Sequence, residues 1–210
     1  MRTTHFLLSI LLSISFLTGC YTKYKRKIEE QERLISEKQA LISDLERKQK
    51  ELGVELTQNE TLKEELHNRI GTLEDSKKIL LQQIDDRTLI TLPNAILFSS
   101  GSTILSKRGV KTLKTICEVL EKYPDHPICI EGHTDSVSIS PRLKEKYATN
   151  WELSIARAIH VMSFMVGRFK IEQNRVSVKG YGPFQPIASN ATPEGRAENR
   201  RVVIVVESKR

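Results

Sequence analysis

From residue 25 to residue 86 the chain has no proline, and apolar residues return in sevens. Counted from Ile28, one position of the repeat holds Ile35, Ile42, Leu56, Ile70 and Ile84. The position three residues further on holds Leu45, Leu52, Leu66, Leu73 and Leu80. Eleven of the eighteen slots in this seam are apolar. A helix with that period has a narrow stripe to bury against another helix, so the pattern predicts a coiled coil. Isoleucine at the first position and leucine at the second favours two strands, which makes a homodimer through the coiled coil a candidate assembly. Asn59 and Lys63 in the seam weaken it while holding its register. Gly53 and Gly71 fall outside the seam and cost about 1 kcal/mol each relative to alanine. The alternative is a single charged helix stabilised by pairs four residues apart. Either way the segment would reach about 90 Å at the α-helical rise, enough to act as a spacer.

What the spacer is anchored to is read from residues 1–20, MRTTHFLLSILLSISFLTGC. Arg2 is followed by a short apolar run from Phe6 to Leu17, a secretory leader pattern and too short for a comfortable membrane span. Leu17-Thr18-Gly19-Cys20 resembles the bacterial lipobox. The resemblance implies cleavage after residue 19, a diacylglyceryl group on the Cys20 thiol, and acylation (palmitate or similar) of the new terminus. Several chains meet the requirement that stable anchoring takes more than one. Tyr21 in place of an aspartate suggests, by the sorting habit of such lipoproteins, the outer membrane with the protein facing the periplasm. The expected layout is a leader at 1–19, a lipidated terminus at 20–24, a helical spacer at 25–86 and a globular domain at 87–210.

Charge is uneven along this layout. Residues 21–86 carry 13 Lys/Arg against 15 Asp/Glu, while residues 87–210 carry 19 against 11. A basic domain favours an anionic partner, and an extracytoplasmic location excludes nucleic acid. Cys117 and Cys129 are the remaining cysteines. In an oxidising compartment they form either a disulfide or two small buried thiols, and spacing alone leaves both open.

Within 87–210 the period changes. Residues 88–92 and 95–98 are β-prone and broken by Pro93-Asn94. Residues 106–123 have helical spacing at Val110, Leu113, Cys117 and Leu120, and Pro124 stops them. Residues 128–131 read as a strand, and 150–169 as a second helix with Asn150 as N-cap. Strands follow at 176–180 and 202–206. The order β-α-β-α-β-β makes an α+β fold, a two-layer sandwich with a mixed four-stranded sheet, preceded by a long coiled-coil helix.

One stretch, Ile130-Glu131-Gly132-His133-Thr134-Asp135-Ser136, concentrates chemistry at the end of the 128–131 strand. In a continuing strand His133 and Asp135 point to one face. A metal site, a hydrolase or a carboxylate held out for a cationic ligand would each use such a pair. For a metal only His67, His126 and His160 remain outside the leader, with no HxxxH or CxxC spacing. No GxSxG elbow or metalloprotease helix is present either. Neither a metal or other cofactor nor an enzymatic activity is expected.

The flanking residues carry a more specific signal. Gly132-His133-Thr134-Asp135 is followed by Asn150-Trp151-Glu152-Leu153-Ser154 with Arg157-Ala158. Then come Gly180-Tyr181-Gly182, Pro186, and the run from Gly195 through Asn199-Arg200-Arg201 to Val202. Together these resemble the OmpA-like C-terminal domain family, which includes peptidoglycan-associated lipoproteins and the periplasmic part of the MotB stator. The resemblance covers about residues 88–208. It implies non-covalent binding of peptidoglycan, with Asp135 and Arg157 clasping the diaminopimelate of the stem peptide. The free end of that side chain is a zwitterion. A carboxylate suits its ammonium, and a guanidinium fork suits its carboxylate. The family match adds Thr134 and Asn150 near the ligand and Phe98 and Ser99 at the rim. Asn199 and Arg200 are expected to brace loop ends, and His133 to hold the loop that carries Asp135. The chain departs from the family in its long loop at 136–149, which looks like that of MotB, and in Ser99, where an aspartate is frequent. A stator subunit would need a membrane helix bearing a carboxylate, and residues 6–19 contain neither the length nor an Asp or Glu. Two roles remain: a wall tether on the outer membrane, or a periplasmic scaffold that meets Tol-type proteins.

Overall fold

A computed structural model describes residues 2–208, with side chains described from Tyr21 onward. The expected leader at 1–19 and the Cys20 thiol lie outside the residues whose side chains are described. The chain divides into two units, Met1–Gly53 and Val54–Arg210. The helix α1 (Arg2–Gly71) supplies all of the described part of the first unit and the opening of the second. Among the described residues no helix is long and apolar enough to cross a membrane.

In the first unit the seam is laid bare. Ile28, Ile35, Ile42, Leu45 and Leu52 are each more than half exposed. Short-range ion pairs run beside them, Lys25–Glu29, Arg33–Glu37, and Asp44 with both Arg47 and Lys48. Pairs this exposed are screened by solvent and add little to the helix.

In the second unit the last turns of α1 are buried at Asn59, Leu62, Leu66 and Ile70, one face of a helix. Lys63, expected in the seam, is exposed, and Leu62 goes inside in its place. This face meets the chain's own domain: Leu62, Leu66 and Ile70 join a single core cluster with Leu113, Ile116 and Leu120. Polar clips reinforce it. Asn59 Nδ2 donates to Ser208 Oγ at 2.5 Å, and Ser208 Oγ donates to the Asp86 carbonyl at 2.7 Å. Arg69 pairs with Glu118 at 2.5 Å, and Lys122 with Glu65.

The helical spacer expected over 25–86 is shorter in the structure, where the helix stops at Gly71. Residues Leu80–Ile84 form β1, joined to β2 (Arg87–Pro93) through a tight turn with Asp85 at φ 54°. Ile84 lies opposite Arg87, so only Asp85 and Asp86 make the turn. Leu80 and Ile84 kept the seven-residue spacing, yet they sit in a strand with 49% and 43% exposure. The sheet therefore has five strands rather than the expected four. With β3 (Ile128–His133), β4 (Val176–Gly182) and β5 (Arg201–Val206), the order is β1-β2-β5-β3-β4. Only β3 and β4 run parallel. The mixed sheet and the α+β class are as expected.

Residues 95–98 do not form the expected second β segment. Asn94–Leu97 is a single helical turn, α2, closed by the Phe98 amide on the Asn94 carbonyl at 2.9 Å. Pro93, fixed at φ −58°, ends β2 just before it. The helix α3 (Lys107–Leu120) is capped by Ser106, whose Oγ accepts from the Gly109 amide at 2.9 Å. After α4 (Pro141–Lys144) comes α5 (Asn150–Arg168), and α6 (Pro193–Asn199) precedes the last strand. Ile128, Ile130, Val202, Ile204 and Val206 share the main core with α3 and α5. The alternate residues Cys129, Val203 and Val205 cluster on the opposite face with Leu89. Cys117 belongs to the main core, so the sheet separates the two cysteines, and both are free thiols.

His133 closes β3. Its ring stacks on Tyr181 at 5.1 Å between centroids and 17° between planes. Neither ring nitrogen has a hydrogen-bond partner among the described residues. Burial, aided by Arg201, pushes its pKa down to about 3 from 6.5.

Two measurements test this packing. Leu66→Ala should cost about 3 kcal/mol in denaturant unfolding of the full chain, and Leu45→Ala under about 0.5 kcal/mol. A comparable loss at Leu45 would mean that the exposed seam is buried in an assembly. Because the folded state holds His133 neutral, the unfolded chain binds more protons between pH 3 and 6.5. Its stabilising contribution is complete above pH 6.5 and is lost as pH falls toward 3. His133→Gln should flatten that part of a stability–pH curve.

Candidate functional site

The site is set by how closely α5 approaches the ends of β3 and β4. A Cβ at Gly132 would stand 2.0 Å from the Ser154 carbonyl oxygen, and one at Gly180 would stand 2.2 Å from Ile155 Cγ1. No side chain fits at Gly132 without moving the helix. Ser154, fully buried, completes the contact: its Oγ accepts from the Gly182 amide at 3.1 Å and donates to the Trp151 carbonyl at 2.7 Å. Arg157 lies three residues further along the helix. Past β3, the Thr134 amide donates to the Gly182 carbonyl at 2.9 Å and turns the chain, bringing Asp135 to the same side.

The turn also separates His133 from Asp135. The strand ends at His133, so the two-residue alternation stops there. Thr134 and Asp135 face a cavity of about 610 Å³, and His133 does not line it. Among the described residues no group of three or more His, Cys, Asp or Glu is placed to hold a metal.

All six residues expected at the site line this one cavity: Phe98, Ser99, Thr134, Asp135, Asn150 and Arg157. Asn150 is not the N-cap. Thr149 is, accepting from the Glu152 amide at 3.2 Å, while Glu152 accepts from the Ala148 amide at 2.8 Å. This leaves the Asn150 side chain free to donate to the Val137 carbonyl at 3.0 Å, which ties the 136–149 loop to α5. That loop forms one wall, with Leu143 buried and the Tyr147 hydroxyl 3.1 Å from Thr103 Oγ1.

The charges are arranged unlike a simple internal pair. Arg157 is only 8% exposed, its Nε is buried without a hydrogen-bond partner, and no carboxylate comes within ion-pairing distance among the described residues. Its guanidinium sits 5.6 Å from the centre of the Phe98 ring, a cation–π contact. Burial, then the charge on Arg200, lowers its pKa to about 10, with Asp135 acting the other way, so it remains a cation at neutral pH. Asp135 is held instead by Arg200, at 2.5 Å, and accepts from the Val137 amide at 3.2 Å.

Arg200, expected as a brace, holds Asp135 and also lines the cavity. Its signal was present in the Asn199-Arg200-Arg201 run, but nothing in a one-dimensional pattern tells which arginine faces the cavity. Asn199, fully buried, accepts from the Ile187 and Ala188 amides at 2.8 and 3.1 Å and holds that loop. Arg201 points away, donating to the Gln185 carbonyl at 3.0 Å. Asn94, whose buried side-chain amide has no hydrogen-bond partner among the described residues and which also lines the cavity, had no sequence signal.

Comparisons with known proteins find relatives of this domain. Residues 97–200 match the OmpA family. The chain is 38% identical over 118 residues to motility protein B of Bacillus subtilis (strain 168), covering 56% of this chain and 44% of that protein. It is 36% identical over 121 residues to probable lipoprotein YiaD of Escherichia coli (strain K12), covering 58% of this chain and 52% of that protein. The chain thus spans about half the length of the curated relatives it matches. Among solved structures, the cell wall anchor of the T6SS from Pseudomonas aeruginosa superposes with a TM-score of 0.60 at 28% identity, over 68% of this chain and 96% of that one. Residues 97–200, which carry the Gly-His-Thr-Asp turn and the arginine-bearing helix, form an OmpA-like domain.

Proposed function

We propose that this chain is an outer-membrane lipoprotein, anchored through Cys20 and facing the periplasm, that binds peptidoglycan non-covalently and tethers the membrane to the wall. The observation that carries the reading is Arg157: a guanidinium nearly out of solvent, with no anion of its own, in the same cavity as Asp135. Burying an unpaired charge is unfavourable unless a ligand supplies its counter-charge. A carboxylate on Arg157 and an ammonium on Asp135 match the two ends of the diaminopimelate zwitterion. A lysine ammonium would leave Arg157 without an acceptor. A cell wall anchor among the structural relatives and a probable lipoprotein among the sequence relatives support the same reading.

A second reading, a periplasmic scaffold acting through Tol-type partners or through its own dimer, is favoured by the exposed seam from Ile28 to Leu52. Wall binding separates the two. Asp135→Ala and Arg157→Ala should each abolish co-sedimentation with purified sacculi while circular dichroism stays unchanged, and binding that survives in the double variant refutes the assignment. Cys20→Ser should leave sacculus binding intact and move the protein out of the membrane fraction. If the variant still sediments with membranes, the anchor lies elsewhere.

A further inference from the structure

The charged groups around the cavity do not balance. Asp135 is the single carboxylate among the lining residues, against the guanidinium groups of Arg108, Arg157 and Arg200. Arg108 is engaged by Asp75 at 3.5 Å. Arg200 is engaged by Asp135, and Arg157 by no anion among the described residues. A net-neutral ligand end, one ammonium and one carboxylate, would supply Arg157. Its ammonium would at the same time compete with Arg200 for Asp135. The site would exchange one unpaired guanidinium for another.

A ligand with a second carboxylate removes that conflict. One carboxylate meets Arg157, the ammonium meets Asp135, and the other carboxylate takes over Arg200, whose side chain is 41% exposed and free to adjust. We propose that the cavity takes a diaminopimelate end with both carboxylates unblocked, and that Arg200 reads the second one. This rests on the reading of the cavity as a stem-peptide site. In a stem that ends at diaminopimelate, one amine is consumed by the peptide bond. One ammonium and two carboxylates remain, a net charge complementary to the cavity. Converting the backbone carboxyl to a carboxamide keeps the zwitterion of the other centre but removes the ionised acceptor for Arg200.

The test is calorimetric titration of the full chain in detergent with two soluble muropeptides. One ends in diaminopimelate with both carboxyls free. The other is identical except for a carboxamide at the backbone carboxyl. The free acid should bind about tenfold more tightly or better, as expected for one charge-assisted contact. In Arg200→Gln the two should fall within about threefold of each other. Equal affinity for the wild-type chain overturns the inference while leaving the stem-peptide reading in place. Failure of both to bind overturns that reading itself. A preference undiminished in a folded Arg200→Gln, checked by circular dichroism, removes Arg200 from the role. Should that variant not fold, Arg200→Lys, which keeps the charge, must retain a preference for the free acid or the assignment fails.

Discussion

The turn of α5 around Ser154 lies directly on the backbone of β3 and β4, and two missing side chains make that approach possible. Gly132 and Gly180 leave the space, and Ser154 satisfies the Gly182 amide that the turn after β4 presents. A helix held this close to the strand ends has no freedom to rotate, so Arg157, three residues along, has one place to go. The strand end is fixed by the same contact, and with it the loop that delivers Asp135. The glycines and the serine belong to the motifs that mark the family, and their role is geometric: they set the separation of two charged groups that they do not touch.

That geometry leaves an electrostatic imbalance inside the domain. Arg157 is buried beside an aromatic ring and next to a second arginine, with its counter-charge already committed elsewhere. In a domain selected only for stability such an arrangement is unfavourable, since apolar residues of similar volume serve better. Local violations of this kind concentrate where a protein binds something. The rest of the domain offsets it with a conventional core, extended by the end of α1, which buries Leu62, Leu66 and Ile70 against α3 and the sheet.

Much of the domain was legible in one dimension. The pattern at 88–92 and the helical spacing in 106–123 and 150–169 reflect one-sided burial, and the unbroken apolar run at 202–206 reflects burial on both faces of the sheet; a linear pattern records both well. Segments whose conformation is decided by a neighbour were not. Leu80 and Ile84 continue a heptad and yet form a strand, because β2 offers a hairpin ladder to residues that α1 no longer holds. Residues 95–98 are β-prone and yet turn helical, because Ser106 Oγ donates to the Ile96 carbonyl and ties the turn to the start of α3. Thr149 takes the cap expected of Asn150 because its Oγ1 accepts from the Glu152 amide while the Glu152 carboxylate accepts from the Thr149 hydroxyl and the Ala148 amide.

By itself the sequence determined which residues have chemistry to offer: a carboxylate after Gly-His-Thr, an arginine one turn past Leu-Ser, a pair of arginines after Asn199. It also determined the long helix, through an apolar repeat carried on good helix formers, though not the point at which that helix ends. Tertiary structure alone decided what each of these groups faces. It turned the last seam residues inward onto their own domain and left the earlier ones in solvent. It set Asp135 against Arg200 rather than Arg157, and it stacked His133 under Tyr181 instead of beside the carboxylate. The physical reason is the same in each case. Periodicity specifies a face, but the partner of a face or a charge is fixed by segments far away in the chain, and their distance is not written in any local pattern.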